Sequence, residues 1–147
     1  MKAVRSGAWV ALRYLTVVFV LGVVVQFFLV GWGLFGMDAG STVENAKSLD
    51  AHRGLGWILS DFGGILFLVL TLLAWVRPLR IRVLYLVLAV LTFFQGELAA
   101  AGVDHRALGM LHPVNALLVL GIAGYLAHYA FARAPEAAPE AAVSPTS

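Results

Sequence analysis

The chain has 147 residues, of which 61% are hydrophobic and only 12% charged, and its mean hydropathy is +0.91. Soluble domains carry about 25% charged residues, so this composition excludes one and indicates a polytopic membrane protein. The net charge of +2 comes from basic residues at the ends of apolar runs, where membrane topology accounts for them without nucleic acid, and the lack of cysteine excludes disulfides, iron–sulfur clusters and thiolate catalysis.

A helix needs about 20 apolar residues to cross a hydrocarbon core. Four stretches meet this requirement, and they predict an all-α transmembrane bundle of four helices running up-down-up-down over residues 1–133. Span one covers about 14–35, behind a basic start with Lys2, Arg5 and Arg13. The run is too long for a signal peptide and has no clear cleavage site, so it reads as a retained anchor. Residues 36–50 form a polar loop whose last residue, Asp50, is placed to cap the next helix.

Span two covers about 53–76 and is expected to stop at Pro78. A short basic connection, Arg77 to Arg82, leads to span three at about 83–98; so tight a link requires antiparallel neighbours. A short outer loop from Ala99 to Met110 then precedes span four, at about 112–132. Pro113 suits the first helical turn, because its missing N–H would be orphaned there anyway. His112 therefore lies beside the N-cap or one turn inside. Residues 134–147 are rich in Ala, Pro, Glu and Ser and read as a disordered cytoplasmic tail.

Lysine and arginine set the expected orientation. Lys2, Arg5, Arg13, Arg77, Arg80, Arg82 and Arg133 fall on one side, and only Lys47, Arg53 and Arg106 on the other. Both termini are thus expected in the cytoplasm, with the acidic residues Asp38, Glu44, Asp50, Glu97 and Asp104 outside.

This orientation places His52 and His112 at the outer ends of two parallel helices, differing in depth by about one helical turn. Two neutral imidazoles facing one another from separate helices can hold a haem iron between them. Small residues lie on the same helical faces: Gly56 and Gly63 below His52, Ala116 and Ala123 below His112. They would leave room for a porphyrin, although close helix packing uses the same residues. His105 is an alternative second ligand, since Gly109 and Ala116 stand at the same offsets from it. His112 is preferred because it adjoins the longer apolar helix.

Arg53 and Arg106 lie near the outer ends, where a guanidinium can bind a propionate bidentately or simply reach for water. Gln26 and Gln95 fall in the outer halves of spans one and three, placed for an imidazole, a propionate or a quinone carbonyl, or for plain interhelical bonding. Asp61 is an ionisable group inside span two and reads as a proton relay or a protonated packing residue. His128 has no histidine at its depth on another span, which argues against a second haem.

On His52-Arg53-Gly54-Leu55-Gly56 and His112, the chain resembles the four-helix membrane b-type cytochromes, and most nearly one half of a haem A synthase. It also looks like an uncharacterised four-span bacterial membrane family. The resemblance covers roughly residues 8–132. It implies the four-helix fold and haem binding; with the histidine pair, the expectation is one b-type haem per chain, held by His52 and His112 in a multi-pass protein of the bacterial cytoplasmic membrane. Electron transfer with a quinol or a periplasmic partner, contact with membrane lipid and possible homo-oligomerisation follow. With one bundle and one histidine pair, it does not imply haem A synthesis. Two other expectations come from the residues themselves: a non-enzymatic subunit or apolar-ligand carrier with structural histidines, and a divalent metal site built on His52, His105 and His112 with nearby acids.

Overall fold

A computed structural model of the chain describes residues 1–132, of which 87% are helical, with no strand among them. Four helical stretches are long and apolar enough to cross a membrane: Lys2–Phe35, Lys47–Ala74, Leu79–Asp104 and Arg106–Ala132. The expected tail, 134–147, and Arg133 lie outside the described residues.

Helix α1 is Lys2–Phe35 and buries Ala8, Leu12, Thr16, Phe19 and Val23. That spacing of three and four residues is a single seam on a 3.6-residue helix. Its other faces stay open, with Leu21 60% and Phe28 75% exposed; in lipid there is no drive to cover them. The second span is built in three pieces: α2 (Asp50–Trp57), a π-helical turn at Ile58–Gly63, and α3 (Gly64–Ala74). Helix α4 is Leu79–Asp104 and α5 is Arg106–Ala132. The α5 seam, Asn115, Val119, Ala123, Leu126 and Ala130, repeats the spacing of α1.

The core is an aromatic column flanked by small residues. The Phe19 ring meets Phe67 edge-on with centroids 5.0 Å apart, Phe67 lies 6.3 Å from Tyr85, and Tyr85 lies 6.4 Å from Trp9. Glycines on the second span admit these rings. A Cβ on Gly63 would stand 3.2 Å from Phe19, and one on Gly64 3.0 Å from Phe93. Contacts between helix ends fix the direction of each helix. Gln26, late in α1, bonds His52 at the start of α2; Arg13, early in α1, stacks on Phe131 at the end of α5; and Gln95, late in α4, bonds His112 near the start of α5. Successive spans therefore alternate in direction.

Several expected boundaries shift. The helix that carries span one begins at Lys2, ahead of the apolar run expected from about residue 14, because the basic start continues the helix. Asp50 does not cap α2. A 3₁₀ turn at Lys47–Leu49 feeds directly into the helix, and Asp50, inside its first turn, pairs with Arg53 at 2.6 Å. The second span ends at Ala74, where Trp75 turns left-handed with φ 49°, so the helix closes before Pro78 is reached; Pro78 instead leads into α4. The expected outer loop from Ala99 to Met110 is almost wholly helical. Only His105 separates α4 from α5. The reversal is this tight because Gly102 and Gly109 pack backbone to backbone, a Cβ on Gly102 falling 2.6 Å from the Gly109 Cα. Pro113 consequently lies inside α5 and not in its first turn; membrane helices tolerate this where neighbouring groups take up the freed backbone.

Candidate functional site

The end of the bundle at which α2 and α5 begin brings His52 and His112 together, with ring centroids 6.4 Å apart and planes at 77°. Each ring is mounted in the same way on the helix beside it. The Nδ1 of His52 lies 3.3 Å from the main-chain carbonyl of Gln26, and the Gln26 side-chain amide donates back to the His52 carbonyl at 3.0 Å. On the other side, His112 Nδ1 lies 3.0 Å from the Gln95 carbonyl, and the Gln95 amide donates to the His112 carbonyl at 3.0 Å. The chain thus carries two reciprocal Gln–His clamps, one on α1 and α2, the other on α4 and α5. A ring that donates to its carbonyl carries the proton on Nδ1 and leaves a lone pair on Nε2; at His112 the Gln95 amide nitrogen also stands 3.1 Å from Nδ1.

The two clamps differ in what holds the glutamine. Asn115 donates through its side-chain amide to Gln95 Oε1 at 2.6 Å and to the Leu91 carbonyl at 2.8 Å. This fixes the Gln95 oxygen toward Asn115 and its NH₂ toward His112, where it also stands 3.3 Å from the ring's Nε2. Gln26 Oε1 is buried and has no partner. Asn115 is only 6% exposed, and sequence reasoning passed over it. The clue was available: a side-chain amide inside an apolar run, three residues after His112 and so on the same helical face.

The other sequence-predicted residues fall in varied places. His105 is exposed at the link between α4 and α5, so the imidazole facing His52 is that of His112. Arg53 is committed to the preceding loop. Its guanidinium donates to the carbonyls of Val43 at 2.7 Å, Glu44 at 2.8 Å and Ala46 at 3.0 Å, as well as to Asp50. A propionate would have to displace bonds that already shape the 36–49 segment. Arg106 is exposed at the start of α5 and Ala116 half-buried on it.

Gly56 and Gly63 serve α1. A Cβ on Gly56 would stand 2.9 Å from the Gln26 amide nitrogen, and the Gly63 face is filled by Phe19. These glycines make room for the clamp and the core, so the porphyrin space expected beneath His52 is occupied by side chains. The π turn contributes here, because a shared-face count assuming 3.6 residues per turn does not carry across Ile58–Gly63. Asp61 lies in that turn, half-buried, and His128 is exposed on α5. Among the described residues no three His, Asp or Glu side chains converge on a point where a metal ion would be held.

Two imidazoles ligating one metal from opposite sides at about 2 Å each place their ring centres roughly 6–6.5 Å apart. The observed separation falls there, and each second nitrogen is anchored as metal-bound histidines usually are. Among the described residues no third side chain joins the pair, as a tetrahedral ion would need. No protein-family model, no curated protein and no solved structure matches the chain at significance.

Proposed function

We propose that the chain is a membrane b-type haem protein, with His52 and His112 as the residues that would hold one haem near one end of the bundle, and that it transfers electrons; the haem would have to take space that Gln26 and Phe19 fill beside Gly56 and Gly63. The observation that carries this reading is the pair of imidazoles with ring centres 6.4 Å apart, each with its Nδ1 within hydrogen-bond distance of a main-chain carbonyl. Bound haem would supply a one-electron couple. The chain's own residues would hold both rings at the imidazole tautomer that ligates, with Gln26 and Gln95 restraining the helices that carry them. A quinol in the lipid or a partner on the outer side would exchange electrons there, in the bacterial cytoplasmic membrane with both termini inside.

The convergence of two ligands and no more favours this over the divalent-metal alternative. The test is a reduced-minus-oxidised spectrum with haem counted per chain. Wild type should carry one six-coordinate haem; His52→Ala and His112→Ala should each lose haem or become five-coordinate, and His105→Ala should do neither. Protein that stays colourless when made with ample haem and takes none up on titration would overturn the proposal in favour of structural histidines.

A further inference from the structure

The end of the bundle remote from His52 and His112 is charged in one sense only. Lys2, Arg5 and Arg13 lie on the first half of α1 and Arg77, Arg80 and Arg82 at the turn into α4, whereas residues 1–37, 62–96 and 105–132 contain no Asp or Glu. Arg13 is set apart from the rest by its place. It lies roughly 16 Å along the helix from Lys2, where the apolar run begins. Its side chain is half-buried, with Cζ 4.5 Å from the centre of the Phe131 ring and Nε covered, and that nitrogen meets no hydrogen-bond acceptor among the described residues. The two terminal nitrogens reach the surface, and no protein acceptor meets them either. Beside the guanidinium stand side chains suited to a membrane–water boundary: Tyr14, whose ring meets Phe131 edge-on at 5.8 Å, and exposed Val10.

We propose that the junction of α1 with the end of α5 binds the phosphodiester headgroup of an anionic phospholipid, with Arg13 as its anchor. A guanidinium has five N–H donors and no acceptor, and stacking on a ring satisfies none of them. With the plane held over Phe131 and Nε covered, the two terminal nitrogens are left as a fork that matches two phosphate oxygens. Val10, Tyr14 and Phe131 are exposed beside that fork. The acyl chains of a lipid would cover them while its headgroup reaches Arg13, which a free phosphate cannot do. A zwitterionic headgroup fits less well, because its ammonium would find no carboxylate at this end among the described residues. The other five cations add an attraction that fades within a Debye length. Neither His52 nor His112 takes part, so the inference stands apart from the haem reading.

The test is native mass spectrometry of the full chain in a neutral detergent, titrated with phosphatidylglycerol or with phosphatidylcholine of the same acyl chains. Wild type should bind one phosphatidylglycerol about tenfold more tightly than phosphatidylcholine, the usual worth of a hydrogen bond to a charged group. Arg13→Gln should remove that preference. Arg5→Gln alters an exposed cation that adds only to the field, and should weaken binding by no more than about fivefold. Arg13→Lys keeps the charge but not the fork, and should fall between wild type and Arg13→Gln. In wild type the preference should also survive high salt, which screens a diffuse field but not a half-buried bond; this readout stands even if Arg13→Gln does not fold. Equal affinity for the two lipids, loss of the preference in salt, or equal effects of Arg5→Gln and Arg13→Gln would each overturn the inference. Displacement of phosphatidylglycerol by inorganic phosphate at matched concentration would overturn it in favour of a free-anion site.

Discussion

Most of the polar contacts around His52 and His112 are arranged by amides, which accept and donate at once and so can brace a helix from the side. Asn115 shows how much rests on one of them. It bonds the Leu91 carbonyl and Gln95 Oε1 together. Asn115→Leu keeps the branched side-chain skeleton and leaves Gln95 Oε1 unpaired, which costs about 1–3 kcal/mol; thermal unfolding in detergent should show a lowered Tm. Tyr85 is the contrasting case. Its ring is fully buried, but its hydroxyl meets Thr16 only at 3.4 Å, while Thr16 already donates to the Leu12 carbonyl at 2.7 Å. Burial of the ring, and not the hydroxyl bond, is what Tyr85 contributes.

Among the elements, the reversal between α4 and α5 carries the most geometric consequence, because it sets Gln95 against His112. Gly102→Ala would push a Cβ to 2.6 Å from the Gly109 Cα, with backbone as the obstacle, whereas Gly121→Ala meets nothing within 4 Å. Overpacking of this kind costs about 1–3 kcal/mol, and an unobstructed helical glycine gains up to about 1 kcal/mol on becoming alanine. The first variant should therefore unfold at lower temperature than wild type and the second at equal or higher temperature; the reverse order would show that the glycine pair does not set the crossing. The number, order and type of these elements were legible in the sequence, since four apolar runs separated by charge leave few other arrangements. Their ends were not. Charged Lys2 and Arg5 continue a helix that hydropathy alone would start later, and Asp104 does the same for α4. Of the candidate site, His52, His112, Gln26 and Gln95 were legible because polar groups stand out in apolar runs. The roles of Gly56, Gly63 and Arg53 were not, because a π turn breaks the helical count and the acceptors of Arg53 are carbonyls, which no side-chain pattern reveals.

At the scale of the whole molecule, the basic residues gather where α1 begins and α4 begins, with Arg13 over Phe131 at 4.5 Å and Arg82 over Trp75 at 4.3 Å. If that end faces the cytoplasm, a cytoplasm-dependent reporter fused to either terminus should be active; activity of a periplasm-dependent reporter after Ser147 would invert the orientation. The same view shows the chain as two hairpins joined only through residues 75–78. Each owns one complete Gln–His clamp, and neither owns both imidazoles. A ligand held between His52 and His112 is therefore a cross-link between two halves that otherwise meet through packing. Because such a ligand binds the assembled form alone, it stabilises assembly by about 2.7 kcal/mol at a hundredfold excess over its Kd. Because Phe67, Tyr85 and Trp9 join the halves in one core, unfolding should be a single step whose midpoint rises when the ligand is bound, so that a folding monitor placed on α5 would report occupancy at His52, in the opposite hairpin.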